Sequence, residues 1–216
     1  MQSTSRKPLP HSTFGPVIPS KNYTMGKFIS RIIFALSGWT KDENLPKEVS
    51  RCVIIAAPHT SNWDLVYARA AFFLMGVPLR FTIKDEWLRF PFGPLTRALG
   101  GIGIDRRPKL PGEPRKSMTE AMVDLFSKHQ RLAMMVTPEG TRSRRTEWKT
   151  GFYYVALNAK VPIALGYLDY KRKRAGVGKM VFPSGDIDKD MREIVAFYKY
   201  IPPKHPERFA IDERYA

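Results

Sequence analysis

The chain has 216 residues, enough for one sizeable core and short of the length at which two domains become the default. Hydrophobic residues make up 43% and aromatic residues 12% of it, which excludes a disordered composition. The formal net charge of +16 points to partners that carry phosphate, whether nucleic acid, anionic lipid headgroups or a phosphorylated substrate.

In chain order, residues 1–24 hold Pro8, Pro10, Pro16 and Pro19 among Ser and Thr without a sustained period, which predicts a flexible arm. Residues 25–40 follow as an amphipathic helix in which Phe28, Ile29, Ile32, Ile33, Phe34, Leu36 and Trp39 accompany Lys27 and Arg31. A basic, aromatic-rich helix of this kind reads as a membrane-associating anchor, with an ordinary core-packing helix as the alternative. It is too short to span a bilayer, and no apolar run of about 18 residues occurs anywhere in the chain. No apolar stretch followed by a cleavage site opens the sequence, so no signal peptide is expected.

After a polar connection, residues 52–57 form a short run rich in Val and Ile that ends at Pro58, the pattern of a buried strand. Residues 65–76 read as a helix with Gly76 past its end. Residues 77–84 predict a second strand, and residues 85–99, broken by Pro91 and Pro94, predict short helical turns bordering a groove, with Trp87, Leu88, Phe90 and Phe92 facing either lipid or core. Residues 100–107 are a glycine-rich strand ending in Arg106 and Arg107, two guanidinium groups able to clamp a phosphate; the glycine spacing does not fit a dinucleotide loop.

A helix is expected over residues 114–129, with Met118, Met122, Val123, Leu125 and Phe126 inward, and a strand over residues 131–137. Further on come a helix over residues 151–160, a strand over residues 161–165 that Pro162 confines to a start or an edge, and a basic hairpin turn at residues 171–174 leading into residues 179–182. Asp186 or Asp188 caps a last helix running to about Tyr200, and residues 202–216 are expected to form a loose tail. Strands alternating with helices predict one α/β domain over residues 41–201: a mixed, mostly parallel sheet flanked by helices.

Two loops carry the chemistry. Pro58-His59-Thr60-Ser61-Asn62-Trp63-Asp64 joins a strand to a helix, so it lies at a strand's carboxyl edge, where open α/β sheets place their ligand sites. A His five positions before an Asp across a turn lets the carboxylate accept the ring N–H, which fixes the tautomer and frees the other nitrogen to take a proton. The second loop, Pro138-Glu139-Gly140-Thr141-Arg142-Ser143 with Lys149 beyond it, leaves another strand edge and offers amides, hydroxyls and cations to an anion. Cys52, the one cysteine, lies in a predicted core strand and reads as a small buried hydrophobe. The four His and one Cys show no ligand spacing, so no metal is expected.

Taken in order, these stretches resemble the glycerophospholipid acyltransferases, whose members include 1-acyl-glycerol-3-phosphate acyltransferases. His59-x4-Asp64 matches that family's first motif, residues 101–106 resemble the second, residues 138–143 match the third, and Val161-Pro162-Ile163 resembles the fourth. The resemblance covers roughly residues 40–170 and departs at Gly103, where an aromatic residue often stands, and in a single short N-terminal helix. It implies that His59 is the general base on an acceptor hydroxyl, that Asp64 orients it, and that the hydroxyl attacks an acyl thioester directly. Arg106, Glu139, Gly140, Thr141, Arg142, Ser143 and Lys149 would position the acceptor's phosphate or polar head, Glu139 by holding an Arg or a substrate hydroxyl.

The resemblance further implies a lysophospholipid acceptor, acyl-CoA or acyl-carrier protein as co-substrate, no cofactor, an acyl carrier protein as a candidate partner, and a peripheral or monotopic place on the anionic, cytoplasmic face of a membrane. No Gly-x-Ser-x-Gly elbow occurs, which argues against a covalent acyl-enzyme. A lyso-aminolipid acceptor keeps the same chemistry, since Arg106 and Arg142 bind carboxylates as well. A basic nucleic-acid-binding module would need interleaved exposed aromatics and a recognisable motif, and the sequence offers neither, so no nucleic-acid partner is expected.

Overall fold

The computed structural model describes residues 20–83, 88–89, 91–104 and 115–216. Seven strands form its sheet: β1 (Thr40–Lys41), β2 (Arg51–Ala56), β3 (Leu79–Ile83), β4 (Gly101–Gly103), β5 (Leu132–Val136), β6 (Ile163–Asp169) and β7 (Arg174–Val181), in the order β1-β7-β6-β2-β5-β3-β4. β6, β2, β5, β3 and β4 run parallel, β7 is antiparallel to β6, and β1 pairs with β7. Among the described residues six α-helices flank it: α1 (Ser20–Ser37), α2 (Trp63–Leu74), α3 (Gly93–Ala98), α4 (Met118–Lys128), α5 (Gly151–Ala159) and α6 (Ile187–Tyr198). The mixed, mostly parallel sheet flanked by helices is the fold class that the alternating pattern predicts.

The apolar run of β2 is buried on both faces, as a central parallel strand requires. Val53 and Ile55 enter one core with Leu132 and Met134 of β5 and the inner faces of α4, α5 and α6. Cys52 and Ile54 enter the other with Ala133, Met135 and residues of α1 and α2. Each fully buried Val or Ile contributes about 1.5–3 kcal/mol, so this alternation pins the strand's register. The Cys52 thiol, pushed far up by burial, donates only to the Val49 carbonyl (3.3 Å) and serves as a hydrophobe.

α2 ends as its glycine announces. Gly76 takes φ +74°, and the Val77 N–H reaches back to the Phe72 carbonyl (3.0 Å). α4 begins later than expected: Ser117, not Pro114, starts it, because Ser117 and Glu120 form a reciprocal capping box. Met118 at its first turn is exposed, which corrects its expected inward position, whereas Leu125 and Phe126 are buried. β6 starts at Ile163, just past Pro162, and lies inside the sheet rather than at its edge; Pro162 keeps only its carbonyl in play, accepting the Val53 N–H (3.0 Å).

α1 packs along α2. A Cβ placed on Gly26 would stand 2.6 Å from the Phe73 ring, and Phe34 and Trp39 are buried. Its other face leaves Met25, Phe28, Ile29, Ile32 and Leu36 exposed, a stripe at helical spacing. Among the described residues no helix is long and apolar enough to cross a membrane. Trp87, Phe90, Arg107 and most of the expected flexible arm lie outside the described residues.

The segment expected to be a loose tail is packed instead. The Asp212 carboxylate is fully buried and accepts the Trp148 N–H (3.0 Å) and two guanidinium N–H groups of Arg214 (2.8 and 3.0 Å). Trp148 Nε1–H donates to the Ala210 carbonyl (3.2 Å), and Tyr170 N–H donates to the Pro202 carbonyl (3.2 Å). α6 ends at Tyr198, and the chain beyond Pro202 and Pro203 is not freed, because a buried carboxylate holds it to the loop before α5.

Candidate active site

The chain leaves β2 through α2 to β3 and leaves β5 through α5 to β6, which lies on the other side of β2. These opposed crossovers open a crevice above the carboxyl ends of β2 and β5, where both motif loops emerge. In the first loop, His59 Nδ1 lies 3.1 Å from Asp64 Oδ2. The carboxylate has no hydrogen to give, so Nδ1 carries the proton and Nε2 is left as the basic nitrogen.

Asp64 sits in the first turn of α2, where a negative charge is favoured, and its carboxylate is saturated with donors. Oδ2 also accepts the Thr60 and Ser61 backbone N–H groups, both at 2.8 Å, and Oδ1 accepts the Tyr170 hydroxyl at 2.6 Å. Burial pushes the Asp64 carboxyl up, but the hydrogen bonds from His59, Tyr170 and Ser61 outweigh it and hold the group below its ordinary value. Asp64 is therefore a fixed anion against the imidazole. Tyr170 is braced in turn by Trp39 and Tyr67, its ring meeting theirs edge-on with centroids 5.0 and 6.1 Å away.

In the second loop Glu139 is buried behind His59. Its Oε1 accepts the His59 backbone N–H (3.0 Å), and its Oε2 is buried without a partner among the described residues. Burial pushes this carboxyl up to about 7, partly opposed by the His59 amide. Glu139 was expected to hold an Arg or a substrate hydroxyl; the partner that the structure gives it is the backbone of the His59 loop. Gly140 takes φ +65° where Lys149 Nζ closes in, 2.9 Å from where a Cβ would sit. Thr141 Oγ1 accepts the Ser143 N–H (3.3 Å), and Arg142 reaches across to donate to Asn62 Oδ1, tying the two loops together.

A cavity of about 380 Å³ opens beside the pair. His59, Asp64, Gly140 and Lys149 border it, and Ala68, Phe72, Phe81, Met122 and Met135 give it an apolar lining. The structure thus brings His59, Asp64, Gly140 and Lys149 to one cavity and sets Glu139 behind them. Arg142 turns to a neighbouring pocket, Thr141 and Ser143 stay in the loop between, and Arg106 lies outside the described residues. Tyr170 is not among the residues singled out in the sequence: it reaches the same sheet edge as His59 only because β6 runs parallel to β2. Among the described residues no three His, Cys, Asp or Glu side chains cluster as a metal site.

Residues 39–164 match the family model described as Acyltransferase. Over 156 residues the chain is 31% identical to the proteins of Salmonella typhimurium and Salmonella typhi named 1-acyl-sn-glycerol-3-phosphate acyltransferase; the match covers 69% of this chain and 60% of each relative. The chain therefore spans less than two thirds of the length of those relatives. Its backbone is similar to the crystal structure of the 1-acyl-sn-glycerophosphate (LPA) acyltransferase, PlsC, from Thermotoga maritima, with a TM-score of 0.56 and 16% identity over 83% of this chain and 78% of that one, a likeness of fold. The family match includes both motif loops and leaves α1, β7, α6, Tyr170 and the C-terminal segment outside it.

Proposed function

The chain belongs to the acyltransferase family, and from that premise we propose that it moves a fatty acyl group from an acyl thioester, acyl-CoA or acyl-carrier protein, to the hydroxyl of a lysophospholipid, 1-acyl-glycerol-3-phosphate being the acceptor. The observation that carries the reading is the His59–Asp64 pair, 3.1 Å apart and fixed by Tyr170 and two amides, at the mouth of an apolar cavity. The cavity suits an acyl chain, and the basic nitrogen at its edge suits a proton acceptor.

In this mechanism the acceptor hydroxyl gives its proton to His59 Nε2 as its oxygen bonds to the thioester carbonyl carbon. Asp64 stabilises the imidazolium that forms. Collapse of the tetrahedral intermediate breaks the C–S bond, and the imidazolium returns the proton to the departing sulfur. Atoms and charge balance without a covalent enzyme intermediate. Arg106, Gly140, Thr141, Arg142, Ser143 and Lys149 position the phosphate or polar head of a substrate, while Glu139 secures the His59 backbone. The exposed apolar stripe of α1 and the +16 net charge support a peripheral or monotopic placement on an anionic, cytoplasmic membrane face, from which the lysolipid enters.

The test is acceptor-dependent thiol release from a long-chain acyl thioester in mixed micelles, comparing lysophosphatidate with an amino-acid lysolipid. Release with lysophosphatidate that falls by about 10³-fold or more in His59→Ala, with an unchanged melting curve, is the expected result. Release with the amino-acid lysolipid alone moves the enzyme to another acceptor. Undiminished release in His59→Ala removes the histidine as the base.

A further inference from the structure

Beside the His59 loop, bordered by its Thr60 and Ser61, lies a second pocket of about 460 Å³. Arg142 lines it from the loop after β5, Asn62 and Trp63 from the start of α2, and Lys204, His205 and Arg208 from the C-terminal segment. The last three fall outside the span matched by the family model, so the family motifs do not account for them. Their placement is built by contacts. The His205 backbone N–H donates to Thr60 Oγ1 (3.3 Å), Lys204 Nζ stands 5.4 Å from the centre of the Trp63 ring, and Arg142 is held by Asn62.

The charges around this pocket are lopsided. Three permanent cations and an imidazole face it together with the N-terminal turn of α2. Among the described acids, exposed Glu207 has its Oε1 3.5 Å from His205 Nδ1 and 3.6 Å from Arg208 Nε, and the charge of Asp64 is already shared among four donors. A groove with converging guanidinium and ammonium groups, a side-chain amide and a hydroxyl from Ser61 is suited to a phosphate group, which takes bidentate bonds from Arg and a point charge from Lys.

We infer that Lys204, His205 and Arg208 complete, with Arg142 and Asn62, a pocket for a substrate phosphate, so that the C-terminal segment is part of the binding site. The inference rests on the acyl-transfer reading for the identity of the substrate but not for the pocket's chemistry. With the acyl chain in the apolar cavity on one side of His59, a charged end of a substrate comes to lie on this side. Two substrates carry such a phosphate: the acceptor, as a phosphomonoester on glycerol, and the thioester donor, on its coenzyme or carrier-protein arm.

The experiment uses the full chain and the double variant Lys204→Ala/Arg208→Ala, with Lys204→Arg/Arg208→Lys as the charge-preserving control. Both positions are exposed, so the melting temperature without ligand should be unchanged. The direct probe is glycerol 3-phosphate or inorganic phosphate: it should raise the melting temperature of the wild type and of the control and do so far less in the alanine variant. In kinetics, losing two charge-assisted contacts should raise one KM by about tenfold or more with kcat changed little.

A rise in the lysophosphatidate KM assigns the phosphate to the acceptor. A rise confined to the thioester KM assigns it to the donor. Unaltered phosphate protection together with unaltered values of both KM overturns the inference. If the wild type transfers no acyl group to any acceptor yet the alanine variant alone loses phosphate protection, the pocket stands and the proposed reaction is what fails.

Discussion

A carboxylate with four donors cannot move, and that immobility is what His59 requires. Each oxygen of Asp64 is placed by groups from different parts of the chain: two amides of its own loop, the ring of His59, and the hydroxyl of Tyr170 from beyond β6. Tyr170→Phe keeps the aromatic packing against Trp39 and Tyr67 and removes one hydrogen bond to an ionised group, worth about 1.5–3 kcal/mol. The Asp64 carboxyl, with one donor fewer and the same burial, then takes up its proton at higher pH. We expect kcat to fall by about 10-fold, the KM for the acceptor to change little, and the acid limb of the pH–rate profile to move upward. A lower activity with an unshifted acid limb would mean that Tyr170 acts by packing alone. His59 and Asp64 were legible in the sequence because five positions across a strand-to-helix turn suffice to bring them together. Tyr170 was not, because its contact spans 106 positions and depends on the pairing of β6 with β2. Glu139 was found as a site residue while its partner was not: a loop-borne carboxylate suggests a ligand, and only burial against the His59 backbone reveals that it fastens the loop.

At the scale of elements, α1 shows how one amphipathic pattern serves two surfaces. The sequence left open whether its apolar residues anchor the protein or fill a core, and the structure divides them: Phe34, with Trp39 just beyond the helix, packs inward, and Phe28, Ile29, Ile32 and Leu36 face out. A helical period reports which residues share a face, but a helix apolar on two faces does not say which one the sheet will cover. Covering one of them against α2 leaves a stripe that a lone soluble domain rarely exposes. Phe28→Glu/Ile32→Glu changes only that stripe, so the melting temperature should hold while sedimentation with anionic vesicles falls by about tenfold or more, each lost side chain carrying about 1.5–3 kcal/mol of apolar burial. Unaltered vesicle binding would place the membrane contact on another element. The expected helix over residues 114–129 illustrates the opposite limit, since its start was set by the Ser117–Glu120 box, a local signal three positions long that a proline nearby concealed.

For the whole molecule, the sheet could be read in outline because its central strands are continuous apolar runs between turn signals, whereas strand order could not: nothing local tells β5 to insert between β2 and β3. The same blindness to distant contacts made residues 202–216 look loose. They lack periodicity, and among the contacts that hold them is an acid, Asp212, whose buried carboxylate meets the Trp148 N–H and the half-exposed Arg214 guanidinium. Burial pushes the Asp212 carboxyl up, but the Arg214 guanidinium and the Trp148 and Arg214 amides prevail and hold it below its ordinary value. A carboxyl depressed on folding adds stability above its unfolded value, and that stability is lost as pH falls through the lower folded value. Asp212→Ala leaves the Trp148 N–H without its acceptor in the interior and Arg214, half-exposed and screened by water, without its counter-ion, so we expect a loss of about 2 kcal/mol at pH 7, seen as a drop in melting temperature of roughly 4–8 °C. On acidification into the range where a free Asp is protonated, the gap between wild type and variant should narrow. Because the segment from Lys204 to Arg208 carries the His205–Thr60 contact and leads directly into this anchor, loosening the anchor should also raise the KM of whichever substrate places its phosphate there. A melting temperature equal to that of the wild type would show that the segment is held by its apolar contacts, through Phe209 and Ile211, and not by the carboxylate.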